Sequence, residues 1–372
     1  MINVYWLTCR SMDDLCVTTH RALLKGLSDK GLAITLLNPD KVAENDIGNP
    51  WSHIQISNSS VPGFAARTMA KGIRSWMDRH VFEENAVAVL DWRIAHRLVP
   101  TLNRLGVPWT VLDRSPPAHA GLMARLQWPS WKRAWRRVEQ NQSSKGFVVS
   151  PSHRRLVMNQ TGTSEENIIV LPAGVDLGLF QPAKKRERFT LVYHGRLDRN
   201  RGVMALPMLV QKARTAGIEV DLVLVGDGDA VTGLSRIATQ LDGFELHSTM
   251  PQPDVAAVLG SCHVGLLPMP DTPVWAVSSP LKQCEYAASG LAMLGIDHQG
   301  HRLRKINSAP WLKLLPQEEF FSEGIPWLVQ LQQTPSGELG GLARRFAEAE
   351  LSWDSTVETL YFALLELSTV NA

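Results

Sequence analysis

No apolar run in this sequence approaches the ~20 residues needed to span a bilayer. The start, Met1-Ile2-Asn3-Val4-Tyr5-Trp6, carries no basic segment of a secretory leader and reads as a first strand. Cysteine is scarce: Cys9, Cys16, Cys262 and Cys284 form no C-x-x-C pair and fit reduced thiols in the cytoplasm better than a disulfide framework. Excess charge of one sign is missing too. With 38 Lys+Arg against 36 Asp+Glu, a nucleic acid is not the partner the composition points to. There is no internal repeat or low-complexity segment, and no His/carboxylate cluster at metal-ligand spacing, so no metal site is read. Thr8-Cys9-Arg10-Ser11-Met12-Asp13-Asp14, the first strand-to-helix turn, contains no glycine.

What the chain does have is length for two domains and a 44% apolar content ordinary for a globular protein. Residues 2–8 form a short apolar strand, 13–30 carry helical spacing through Leu15, Thr19, Leu23 and Leu27, and 33–37 form the next strand. That βαβ opening predicts a parallel sheet. A helix over 64–80 has Met69, Ile73, Trp76 and Met77 on one side and Arg67, Lys71, Arg74 and Arg79 around it, which suits either a core helix or an anionic surface. A buried strand at 86–90 ends at Asp91, and a strand at 107–112 delivers Asp113-Arg114-Ser115-Pro116-Pro117 to the sheet's carboxyl edge, where ligands bind in open α/β sheets. Asp113 is a candidate for active-site contact or for capping the Pro-rich turn after it; His119 is a weaker candidate there.

From Trp128 the chain reads Trp-Pro-Ser-Trp-Lys-Arg-Ala-Trp-Arg-Arg-Val-Glu. Trp131, Trp135 and Val138 share a helical stripe flanked by Lys132, Arg133, Arg136 and Arg137. The stripe packs on the sheet, or it sets tryptophan at lipid headgroups with the basic flank on an anionic membrane.

The most informative run is Ser278-Ser279-Pro280-Leu281-Lys282-Gln283-Cys284-Glu285-Tyr286-Ala287-Ala288-Ser289-Gly290. Ser279 suits a cap, Pro280 a first helical position and Gly290 a C-terminal stop, predicting a helix over 280–289 and a strand after it. Open amides at Ser279 to Lys282, the helix dipole and the Lys282 ammonium then make a phosphate site, and Glu285 can accept from a diol such as ribose. The bland alternative is a capped helix with one exposed Lys–Glu pair.

This run resembles the donor motif of retaining glycosyltransferases of family four, enzymes of the GT-B fold. Four further segments in order resemble that family: Leu171-Pro172-Ala173-Gly174-Val175-Asp176 with Phe180 and Pro182; Tyr193-His194-Gly195-Arg196-Leu197 with Arg201-Gly202; Leu224-Val225-Gly226-Asp227-Gly228; and Leu351-Ser352-Trp353-Asp354. The resemblance implies an α/β chain of two Rossmann-like domains facing across a cleft, an acceptor-binding domain over 1–182, a nucleotide-sugar domain over 183–350, and a C-terminal helix over 351–372 that crosses back to the first. It implies metal-independent transfer of a sugar from a UDP- or GDP-linked donor to a hydroxyl of a glycan or lipid-linked acceptor, with retention. No cofactor beyond the donor is implied, and the enzyme would work in the cytoplasm, at the inner face of the membrane if the basic helices touch lipid. Donor contacts are expected from Gly195, Arg196, Arg201, Gly226, Gly228, Ser278, Ser279, Lys282 and Glu285, and catalytic roles for Arg196, Arg201 and Asp113.

Three departures bear on that reading. Arg201 stands where relatives most often have lysine, Leu112 and Asp113 where many have histidine, and Val277 where many have an acidic sugar contact eight positions before Glu285. They leave two alternatives open: a nucleotide-sugar-binding protein without transferase activity, and an epimerase of the same fold.

Overall fold

The computed structural model describes all residues except 1, 13–16, 42–47, 60, 62, 118–121, 142, 280, 304, 305, 307, 335 and 370–372. Cys16, Asp13, Asp14, His119 and Pro280 therefore lie outside the described residues. The chain divides into two compact units, the first of residues 1–172 with 353–372, the second of residues 173–352.

The first unit is a seven-stranded parallel sheet in the order β3-β2-β1-β4-β5-β6-β7. Its strands are β1 (Asn3–Leu7), β2 (Ala33–Asn38), β3 (Ser52–Gln55), β4 (Ala86–Asp91), β5 (Trp109–Leu112), β6 (Gly146–Val148) and β7 (Ile168–Val170). Both faces of β1 are covered: Val4 and Trp6 enter the core under α1 (Val17–Asp29), while Tyr5 and Leu7 enter the core under α2 (Ala65–Met77), α3 (Trp92–Leu105) and α4 (Leu122–Glu139). A strand buried on both faces has no polar alternation, which is why these strands read as short apolar runs. The helix α5 (Pro151–Thr161), capped by Ser150 and stopped by Gly162 at φ 73°, precedes β7.

The expectation for the tryptophan stripe resolves as packing. Trp131 and Trp135 are both 0% exposed, and a Cβ on Gly146 would lie 2.3 Å from the Trp135 ring, so the strand carries glycine where the indole presses against it. These rings cannot sit at lipid headgroups. Each buried indole contributes on the order of 1.5–3 kcal/mol or more by area alone.

The last helix, α13 (Trp353–Thr369), belongs to the first unit and packs beside α1, where a Cβ on Gly26 would come within 2.5 Å of Val357. The boundary before the second unit falls after Pro172, not after Pro182 as the polar 183–188 run suggested. Val175 N–H donates to the Leu351 carbonyl at 2.8 Å, Phe180 is buried in the second core, and Arg344 donates to the carbonyls of Leu177 and Phe180. These contacts hold 173–182 to the second unit despite its loop-like composition.

The second unit has six parallel strands in the order β10-β9-β8-β11-β12-β13. They are β8 (Phe189–His194), β9 (Val220–Val225), β10 (Phe244–His247), β11 (Val264–Leu267), β12 (Ala292–Ile296) and β13 (Leu312–Leu315). Its helices are α6 (Ala205–Thr215), α7 (Val231–Ala238), α8 (Gln252–Ser261), α9 (Pro273–Ala276), α10 (Leu281–Ala288), α11 (Gly324–Gln333) and α12 (Ser336–Glu350). The sequence pattern loosens through 297–326, yet β13 lies there: its Leu312 and Leu315 are buried while Lys313 and Leu314 are half-buried, too short an alternation to stand out.

Candidate functional site

In the second sheet the chain runs outward to β9 and β10 on one side of β8 and resumes at β11 on the other, so β8 and β11 flank the switch point where open α/β sheets hold ligands. The loop after β8 begins with Gly195 at φ 114°, that after β9 with Gly226 at φ 143°, and a Cβ on Gly226 would stand 1.9 Å from the Gly195 carbonyl oxygen. Only glycine allows these two loops to meet. Gly228 is equally tight, a Cβ there falling 2.5 Å from the Leu197 carbonyl, while Leu197 N–H donates to Asp227 O.

Cationic side chains gather over that glycine floor. Lys282, at the start of α10, lies over Gly195, whose Cβ would be 3.1 Å from the Lys282 Nζ; the ammonium sits 5.3 Å from the Tyr193 ring centroid. Burial, then the nearby Arg201 guanidinium, lower its pKa to about 8, with Glu285 opposing. Arg201 stacks 4.6 Å over the Trp275 ring and approaches Asp198 at 3.6 Å. Two like charges held together in a partly dry place are costly without an anion to share. Arg196 behaves differently: its guanidinium is 41% exposed and turns to Asp198 at 2.9 Å, so it reaches Arg201 only through that carboxylate.

Glu285 is buried, its Oε2 2.9 Å from His194 Nε2, off the hydrogen-bond line. Ser279, expected to cap α10, accepts at Oγ from the Ala173 amide at 3.1 Å. Ser278 Oγ donates to the Trp275 carbonyl at 2.7 Å, which ties the 275–279 loop to itself. The structure thus brings Gly195, Gly226, Gly228, Arg201, Lys282 and Glu285 around one strand edge, with Ser278 and Ser279 engaged by backbone groups beside it.

Asp113 is the clear correction. It is 0% exposed; Trp131 Nε1 and Trp135 Nε1 donate to Oδ2 at 2.6 and 3.1 Å, Ser115 N–H donates to Oδ1, and His153 Nε2 lies 3.2 Å away. Burial would raise its pKa, but His153 and the indole donors outweigh it and hold the carboxyl below its usual range. The carboxylate ties α4 and α5 to the end of β5 and has no surface to offer a substrate.

Sequence reasoning passed over Asp198, Trp275 and the role of His194. Asp198 stands two residues from Arg196, a spacing that carries no signal until the turn folds. Asp227 and Asp229, two apart at the end of β9, accept from the Gly228 and Arg199 amides respectively. Among the described residues no group of three or more His, Cys, Asp or Glu is placed to hold a metal ion.

Residues 188–310 match the family model described as glycosyl transferases group 1. No curated protein matches the sequence. Sucrose-phosphate synthase from Thermosynechococcus elongatus superposes at TM-score 0.77 with 14% identity over 98% of this chain and 99% of that one. HepE from Anabaena, solved in complex with UDP-glucose, superposes at 0.73 with 12% identity over 98% and 100%. WaaG, a glycosyltransferase involved in lipopolysaccharide biosynthesis, superposes at 0.70 with 14% identity over 97% and 98%. The fold is that of the GT-B glycosyltransferases, and the segment 188–310, which carries the glycine floor and its cations, is the part similar to the glycosyl transferases group 1 model.

Proposed function

We propose that this protein is a metal-independent glycosyltransferase that moves a sugar from a UDP- or GDP-linked donor to a hydroxyl of a glycan or lipid-linked acceptor, with retention. The observation that carries this reading is the Lys282 ammonium over Gly195 with the Arg201 guanidinium, stacked on Trp275, near enough to oppose its charge. A diphosphate adds the negative charge that the Asp198 and Glu285 carboxylates supply only in part. When the bond from the anomeric carbon to the β-phosphate oxygen breaks, its electron pair passes to the diphosphate, and fixed positive charge there lowers the barrier by several kcal/mol. The acceptor oxygen forms the new bond and gives its proton to the departing diphosphate oxygen. Lys282 and Arg201 are the charge-stabilising residues, Arg196 an outer donor held by Asp198, and Glu285 the ribose contact, with Gly195, Gly226, Gly228, Ser278 and Ser279 shaping the pocket. The UDP-glucose complex of HepE favours a uridine donor.

The acceptor would be met by the first unit, at the cytoplasmic face of a membrane. Support comes from a basic face shared by three helices, Arg67 and Arg74 on α2, Arg97 on α3 and Arg133 on α4: burial first, then the charges of Arg67, Arg133 and Arg74, lower the Arg97 pKa. Such a face suits anionic lipid without the buried tryptophans. The function is tested by incubating the protein with UDP- and GDP-sugars and lipid extract, with and without a chelator, and following nucleotide release and the anomeric configuration of the product. Binding of UDP without turnover in any of these would leave a nucleotide-sugar-binding protein.

A further inference from the structure

Lys282 and Arg201, in the candidate donor site of the second unit, each sit on an aromatic ring. Lys282 Nζ stands 5.3 Å from the Tyr193 ring centroid, and Arg201 Cζ 4.6 Å from that of Trp275. Tyr193 is a core residue of β8, so packing alone accounts for the place of its ring. Trp275 is different. It belongs to the single turn α9, is half-buried, and stands outside the apolar core of the second unit, with its ring lying on a guanidinium instead.

Both partners of that stack are pinned through their backbones. A Cβ on Gly202 would collide with the Pro268 carbonyl, so the turn that carries Arg201 lies hard against the end of β11. Trp275 N–H donates to the Thr272 carbonyl at 3.0 Å, and its own carbonyl accepts from Ser278 N–H and Oγ. A Cβ on Gly300 would collide with that same Trp275 carbonyl, which brings the turn after β12 against the other side of the loop. A guanidinium meets a ring with its face and donates hydrogen bonds in its plane, so the stack sets the plane of the fork without competing for the oxygens at its edge. Asp198 Oδ2 is one such oxygen, 3.6 Å from Arg201 Nε.

We propose that Trp275 is a positioning residue of this site: its ring orients the Arg201 guanidinium toward the β-phosphate of a nucleoside diphosphate, and it acts on the ligand only through that arginine. The inference rests on the glycosyltransferase reading for the identity of the ligand. An indole that merely filled space beside Arg201 would leave phosphate binding unaffected, and one that touched the nucleotide itself would act without the arginine.

The test measures binding of UDP, or of GDP if the chain prefers it, by calorimetry on the full chain in wild type, Trp275→Leu, Trp275→Phe, Arg201→Gln and the double variant Trp275→Leu/Arg201→Gln. Trp275→Leu keeps an apolar side chain but no aromatic face, and is expected to weaken the nucleotide about five- to tenfold. Trp275→Phe should lose less, since a benzene ring still offers a face to the guanidinium. In the Arg201→Gln background the leucine should weaken binding less than about twofold, because the cation it served is gone. The full loss persisting in that background, or an affinity indifferent to Trp275→Leu, overturns the inference. If Trp275→Leu fails to fold, Trp275→Phe with and without Arg201→Gln decides by the same comparison. A wild-type chain that binds neither UDP nor GDP overturns the donor reading and this inference with it, whereas nucleotide binding that ignores Trp275 overturns the inference alone.

Discussion

Glu285 Oε2 lies 2.9 Å from His194 Nε2, bringing the second turn of α10 against the last residue of β8 inside the second unit. The contact joins the helix that carries Lys282 to the strand that delivers Gly195, so the carboxylate proposed to hold the ribose also locks the two halves of the candidate donor site. His194→Ala should leave Glu285 buried without its partner and cost about 1–3 kcal/mol, seen as a lowered melting temperature. UDP affinity should fall with it, while His194→Asn should recover part of both. Unchanged melting and UDP binding in His194→Ala would show the pair to be incidental.

Lys282 gives a pH signature. Its folded pKa of about 8 lies below the ordinary lysine value of 10.5, so between those values the unfolded chain binds more protons than the folded one. Stability therefore carries a penalty below about pH 8 that is relieved as pH rises toward 10.5. A bound diphosphate favours the ammonium, so UDP binding near pH 8–9 should take up protons and weaken at higher pH. Calorimetry in buffers of differing ionisation enthalpy reads the uptake directly, and Lys282→Ala should abolish it. Turnover in that variant should drop by roughly 10²–10³-fold, the scale for losing one preorganised charge-stabilising group.

Asp113→Ala should be a stability lesion. Removing the carboxylate leaves the buried Trp131 and Trp135 indole N–H groups without their acceptor, at about 1–3 kcal/mol each. Because the folded carboxyl is held below its usual range, the stability it supplies is present above the unfolded pKa and lost as pH falls through the folded one. Chemical denaturation followed by tryptophan fluorescence should show the wild-type midpoint declining at acid pH and the Asp113→Ala midpoint declining less. A variant with native stability but no turnover would return Asp113 to the reaction.

At Gly226 an alanine would have to adopt φ 143° and place its Cβ 1.9 Å from the Gly195 oxygen. Gly226→Ala should cost more than about 2 kcal/mol and open the glycine floor, reducing UDP affinity more than Gly162→Ala, whose Cβ meets nothing within 4 Å. Equal effects of the two substitutions would show that loop contact is unimportant to the site.

The basic face of the first unit predicts salt-sensitive binding to vesicles containing phosphatidylglycerol. Arg97→Glu, set among Arg67, Arg74 and Arg133, should weaken co-sedimentation several-fold. Absence of sedimentation at low salt would retire membrane contact.

Much of this was legible in the residues themselves. Runs such as Ala292–Ile296 have to be buried strands because no face of them is polar, and glycines such as Gly195 and Gly226 mark turns because positive φ is costly for other residues. Order along the chain then gave the alternation of strand and helix, and with it two parallel sheets. What the sequence could not state is which side chains meet across more than a few residues. Asp113 at a strand end looks the same in one dimension whether it faces substrate or two indoles eighteen and twenty-two positions later. Arg196 and Arg201 look equivalent until the turn hands the first to Asp198 and leaves the second over Trp275. Local pattern is set by backbone propensity and hydrophobic burial, which act on neighbours in sequence; the roles of charged side chains are set by desolvation and partners, which exist only once distant strands have been brought edge to edge.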